Sequence, residues 1–110
     1  MNVILTLETL DYLENLVEIL YQKEYFGFME TSKQYVAELL DDIKAKLPIL
    51  PRKVAPKYFE KYEKGLYYAT FQKNKRTTWY VFFRMYRLEN NQIIYQVRYI
   101  DNNHAVAQYL

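Results

Sequence analysis

Apolar side chains recur every third or fourth residue through the first half of this chain, and close to every second residue from Gly65 onward. Leu10, Leu13, Leu16, Val17, Leu20 and Tyr21 fall on one stripe. The spacing predicts an amphipathic helix over 8–21, N-capped by Thr6 or Thr9. Glu8, Asp11, Glu14 and Glu18 take its N-terminal and outer positions, where the helix dipole favours acids. A second stripe, Tyr35, Val36, Leu39, Leu40, Ile43 and Leu47, predicts a helix that starts at Thr31 or Ser32 and is stopped by Pro48. Gly27 suits a C-cap or tight turn between them. Ahead of the pair, the short apolar run Asn2-Val3-Ile4-Leu5-Thr6 reads as an edge or central strand.

All three prolines lie in 48–62, which predicts an irregular connection with a helical turn near 58–62. Beyond Gly65 the pattern predicts strands over 66–72, 77–86 and 93–101, joined by polar turns at 73–76 and 87–92. Residues 103–110 predict a short final helix, capped by Asn102 or Asn103. Alternation puts Trp79, Val81, Phe83 and Met85 on one face, and Tyr80, Phe82, Arg84 and Tyr86 on the other. With an even hairpin register, Tyr95, Val97 and Tyr99 join the Trp79 face, while Gln96 and Arg98 sit beside Arg84. The first face then packs on the helices, leaving the second open, basic and aromatic. The fold class is α+β in a single domain over 1–110: an N-terminal strand and αα-hairpin on a twisted antiparallel sheet, with a short C-terminal helix.

Charge divides along the chain. Residues 1–47 hold four lysines and nine acids, a net −5; residues 48–110 hold eleven basic residues and four acids, a net +7. An acidic helical surface therefore opposes a basic sheet. Cysteine is absent, which removes disulfides, thiolate catalysis and cysteine-ligated metal. No run approaches the roughly 20 apolar residues of a membrane span, and no basic segment followed by an apolar one opens the chain. A cytoplasmic location is the expectation.

His104 is the only side chain whose unperturbed pKa lies near neutrality; it is a catalytic candidate, or a surface or capping residue. Arg84 and Arg98 offer planar donor forks that match phosphate, or they make cross-strand pairs or partner contacts. Lys73, Lys75 and Arg76 suit backbone contacts to a nucleic acid, or form a solvated turn. Tyr80 and Tyr86 are placed to stack bases, although most of the thirteen tyrosines and six phenylalanines must belong to the fold. Trp79 belongs to the core. Glu60 and Glu63 offer a carboxylate base, or pair with Lys57, Lys61 or Lys64 on a helix surface.

Three segments carry a resemblance: Glu24-Tyr25-Phe26-Gly27, Lys75-Arg76-Thr77-Thr78-Trp79-Tyr80-Val81-Phe82-Phe83 and Arg98-Tyr99-Ile100-Asp101-Asn102-Asn103-His104. With the element order, they make the chain resemble the RelE/ParE superfamily of toxins from type II toxin–antitoxin pairs, in its plasmid-stabilisation-like branch. The resemblance implies a toxin that either cuts mRNA in the ribosomal A site without a metal or cofactor, or poisons DNA gyrase. It implies a cognate antitoxin bound in a hetero-oligomer. It also implies a catalytic role for His104, with Arg84 and Arg98, and a terminal aromatic in Tyr109. A non-toxic interaction protein on the same scaffold is the third expectation.

Overall fold

Thr6 turns the first strand into the first helix. In the computed structural model, which describes residues 2–23, 27–73 and 75–103, β1 spans Val3–Leu5 and α1 spans Leu7–Gln22. Between them the Thr6 hydroxyl accepts from the Thr9 N–H at 3.2 Å, satisfying one of the donors a helix start leaves unpaired. Helix α1 is C-capped by Lys23, not by Gly27. Helix α2, Met29–Lys46, starts earlier than the stripe implies, from Phe28 and without a side-chain cap. Ser32 consequently lies one turn inside α2. It is fully buried and donates to the Val17 carbonyl at 2.6 Å, tying the two helices together. Its value at that position is its small size and one hydrogen bond, not capping.

The sheet has the order β1-β5-β4-β3-β2. Strands β3 (Tyr67–Gln72), β4 (Thr78–Arg87) and β5 (Ile93–Asn102) form the expected antiparallel meander, and β2 is the pair Lys53–Val54 on one edge. The other edge departs from the expectation of an antiparallel sheet. Strand β1 runs parallel to β5, Val3 opposite Tyr95 and Leu5 opposite Val97, so the sheet is mixed. No hairpin joins β1 to its neighbour, so no local turn dictates its direction.

The register between β4 and β5 is broken once. Phe83 faces Val97 but Phe82 faces Tyr99, leaving Arg98 as an extra residue opposite that pair. Such a bulge reverses the parity of everything beyond it. Tyr99 therefore leaves the Trp79 face, where even counting puts it, and joins Arg84. Ile100 replaces it in the core.

Between helices and sheet, Leu13, Leu16, Val36, Leu39 and Ile43 meet Trp79, Val81, Phe83 and Val97. The buried Trp79 indole donates to the Tyr35 hydroxyl at 2.8 Å. The second face is not open throughout. Phe59, fully buried, packs with Leu66, Tyr68 and Phe82 under a strap that crosses this side. Pro56 starts the strap, a 3₁₀ turn covers Lys57–Lys61, and Gly65 at φ +80° reverses the chain into β3. Burying a phenylalanine side chain contributes roughly 1.5–3 kcal/mol, so Phe59 holds down a segment with little regular structure. No helix among the described residues is long and apolar enough to cross a membrane.

Candidate functional site

The strap ends where the two sheet arginines meet. Arg84 lies on β4 beside Gln96 of β5, Arg98 follows two residues along on the same face, and the bulge adds Tyr99 to it. Glu63, two residues before Gly65, reaches between them. Arg84 Nη1 donates to Glu63 Oε2 at 2.6 Å and to the Lys64 carbonyl at 3.2 Å. Arg98 Nη2 lies 2.7 Å from the other oxygen, Glu63 Oε1, which is buried and lacks a well-directed hydrogen bond. Arg98 Nη1 also donates to Gln96 Oε1 at 2.9 Å, and the Tyr86 hydroxyl reaches that oxygen at 3.3 Å. The hydrogen bond to Glu63 holds Arg84 above its ordinary pKa, with burial opposing.

The electrostatics are those of an anion site already holding an anion. Two guanidinium groups face one carboxylate, so the cluster keeps a net positive charge. The arginine side chains are 38% and 31% exposed against 18% for Glu63, which puts the cations on the solvent side. Tyr86, exposed beside Arg84 with its ring 6.0 Å from the guanidinium carbon, flanks the cluster. Tyr62 and Tyr99 stack next to it at 4.7 Å.

The other sequence candidates lie elsewhere. Lys73 is directed to the helix layer, where it meets Glu38 and Asp42 at 3.7 and 3.9 Å and lies over the Tyr35 ring. Lys75 and Arg76 are exposed at the β3–β4 turn. Tyr80 is half-buried against Tyr68 and borders a cavity of about 400 Å³ with Leu50, Pro51 and Lys53. His104, Tyr109, the final helix and most of the Glu24–Gly27 segment lie outside the described residues. Asn103 clamps the other end of β4: it accepts from the Thr78 N–H at 3.0 Å and donates to the Arg76 carbonyl at 3.1 Å. Arg84 lies six residues beyond Thr78 on β4, on the order of 20 Å at the strand rise.

Sequence reasoning named Glu63 among the carboxylates but gave it the neighbouring lysines as partners. Gln96 lies beside Arg84 as the even register predicts, whereas Tyr62 and Tyr99 gained their places through the strap and the bulge. Among the described residues, no three His, Cys, Asp or Glu side chains come together as a metal site. Comparison with protein-family models, with curated proteins and with solved structures finds no match.

Proposed function

We propose that this chain is a toxin of the RelE/ParE kind that cuts single-stranded RNA without a metal, using Glu63, Arg84 and Arg98. One observation supports the reading: a carboxylate seated between two arginines on a part-exposed sheet face, with both oxygens engaged. An entering phosphodiester takes the two guanidinium forks in place of Glu63, since its two non-bridging oxygens offer the same paired acceptors. The displaced carboxylate stays within reach of the adjoining ribose and accepts the proton of its 2′-hydroxyl. The 2′-oxygen attacks phosphorus, the bond to the 5′-oxygen breaks, and a 2′,3′-cyclic phosphate remains. Arg84 and Arg98 stabilise charge on the crowded phosphate. The leaving oxygen takes its proton from water; loss of cutting in His104→Ala would instead restore the role that the resemblance gives His104.

The resemblance adds the ribosome as the place of cutting and an antitoxin that silences the protein. Expression should arrest growth, a small protein encoded alongside should relieve the arrest, and primer extension should map cuts that Arg84→Ala abolishes. A second reading follows from Arg84 and Arg98 both being satisfied by Glu63 in the free protein. A protein that only binds, as a gyrase inhibitor does, needs no freed base. Growth arrest with altered DNA supercoiling and no RNA cuts would establish that reading instead. Harmless expression would leave only the interaction scaffold.

A further inference from the structure

The bulge in β5 places Arg98 and Tyr99, neighbours in sequence, on one face of the sheet. Regular alternation sends neighbours to opposite faces, so the site depends on the extra residue opposite Phe82 and Phe83. The backbone there is supported from the other side. Strand β1 stops at Leu5, opposite Val97, and past its end the carbonyls of β5 need other donors. The Thr6 N–H donates to the Val97 carbonyl at 3.2 Å. The Thr9 hydroxyl reaches Val97 O at 3.2 Å and Arg98 O at 3.1 Å. A hydroxyl carries one hydrogen, so Thr9 shares it between the two carbonyls. Thr6 Oγ1 is then the donor in its 2.7 Å contact with Thr9 Oγ1. Thr9 is only 2% exposed. It is a polar residue on the buried side of α1, and helix capping, already supplied by Thr6, does not explain it.

We propose that Thr9 is the positioning residue for Arg98, so that α1 sets the geometry of a site on the opposite face of the sheet. The inference rests on the role given to Arg98 under the proposed function. Thr9→Val keeps the shape and removes the donor, leaving the Arg98 carbonyl short of a partner where desolvation is costly. The bulged backbone shifts to give that carbonyl another donor, and the movement carries the Arg98 side chain out of reach of Glu63. Arg84, in regular register with Gln96, stays in place.

The test is a double-mutant cycle on the full chain, reading affinity for a single-stranded oligoribonucleotide made uncleavable by 2′-deoxy substitution. Thr9→Val should weaken binding on the order of tenfold, the size of one charge-assisted contact. Thr9→Ser, which keeps the hydroxyl, should restore most of it. Arg98→Ala should cost little more in the Thr9→Val background, whereas Arg84→Ala should keep its effect there. Full additivity of Thr9→Val with Arg98→Ala would overturn the inference, as would a lower Tm with unchanged affinity. Where Thr9→Val does not fold, Thr9→Ala gives the same comparison. A second readout needs no RNA: Thr9→Val should speed hydrogen exchange at the Arg98 Nη–H groups, which face Glu63 and Gln96, several-fold and change Arg84 far less. A wild-type protein that ignores RNA but shows this response would sink the proposed function and keep the positioning role. An unchanged Arg98 exchange rate would sink the positioning role itself.

Discussion

Tyr99 stacks on Tyr62 with ring centroids 4.7 Å apart and planes 24° from parallel, and its hydroxyl donates to the Tyr62 carbonyl at 3.1 Å. The pair fastens the end of the strap to the strand that carries Arg98, one residue before Glu63. Ring contact and hydrogen bond can be separated. Tyr99→Phe keeps the stack and should cost about 1 kcal/mol, the usual net worth of a hydrogen bond. Tyr99→Ala loses the stack as well and should cost about 2–4 kcal/mol. Urea denaturation of both variants measures the difference. Equal costs would mean that the stack contributes nothing.

Glu63 is expected to oppose binding and to support cutting. Glu63→Gln keeps the shape but leaves two guanidinium groups facing each other without a carboxylate. Stability at low salt should fall by about 1–2 kcal/mol, a modest figure because the pairs are part-exposed. Affinity for uncleavable single-stranded RNA should rise, because phosphate no longer competes with a resident anion, while cleavage is lost. Its salt dependence should steepen as the freed charge engages phosphate. Filter binding across a salt series reads these effects. Weaker binding by Glu63→Gln would show that Glu63 helps to hold RNA instead of vacating its place.

Most of the regular structure was legible from periodicity. Both helices and the three long strands follow apolar stripes that packing leaves little freedom to violate, and Trp79 lies in the core where alternation put it. Three features defeated the pattern for separate reasons. The bulge at Arg98 adds one residue and inverts the parity of Tyr99 and Ile100, which no count of alternating positions detects. The parallel pairing of β1 joins opposite ends of the chain, so no turn signals it. The strap carries few apolar residues at regular spacing, and its buried anchor, Phe59, resembles any aromatic in a loop. The candidate site lies where strap and bulge meet. Its arginines could be assigned to a face, but the carboxylate between them could not be assigned to them.

Alkaline pH should destabilise the fold through half-buried phenols. Burial raises Tyr12 well above the ordinary value of 10.0, and Asp101 adds to the shift. Burial also raises Tyr35 against the Trp79 hydrogen bond, and Tyr62 against the charge of Lys61. The folded state thus holds these protons more tightly than the unfolded chain. The stabilisation is fully present below the unfolded value of 10.0 and is lost as pH rises toward the folded values. Urea midpoints should be level between about pH 8 and 9.5 and fall above 10, and Tyr12→Phe should flatten part of that fall. A midpoint that does not change up to pH 11.5 would show that these hydroxyls titrate alike in both states.

Gly65 should matter through its backbone alone. Its φ of +80° is a conformation that L side chains rarely adopt, yet a Cβ built there meets no atom within 4 Å. The cost of Gly65→Ala is therefore strain and not collision, about 1–2 kcal/mol. Gly65→Asn should cost less, because asparagine tolerates left-handed backbone. D-alanine at the same position, introduced by chemical ligation, should be neutral or stabilising, since its mirror-image preference matches the turn. Because this turn sets Glu63 between Arg84 and Arg98, strain relieved by rotating the peptide should also loosen those pairs. Gly65→Ala should then speed exchange at the Arg84 Nη1–H groups, and D-alanine should not. Equal losses for the two enantiomers would mean that the turn fails for want of space, contrary to the geometry.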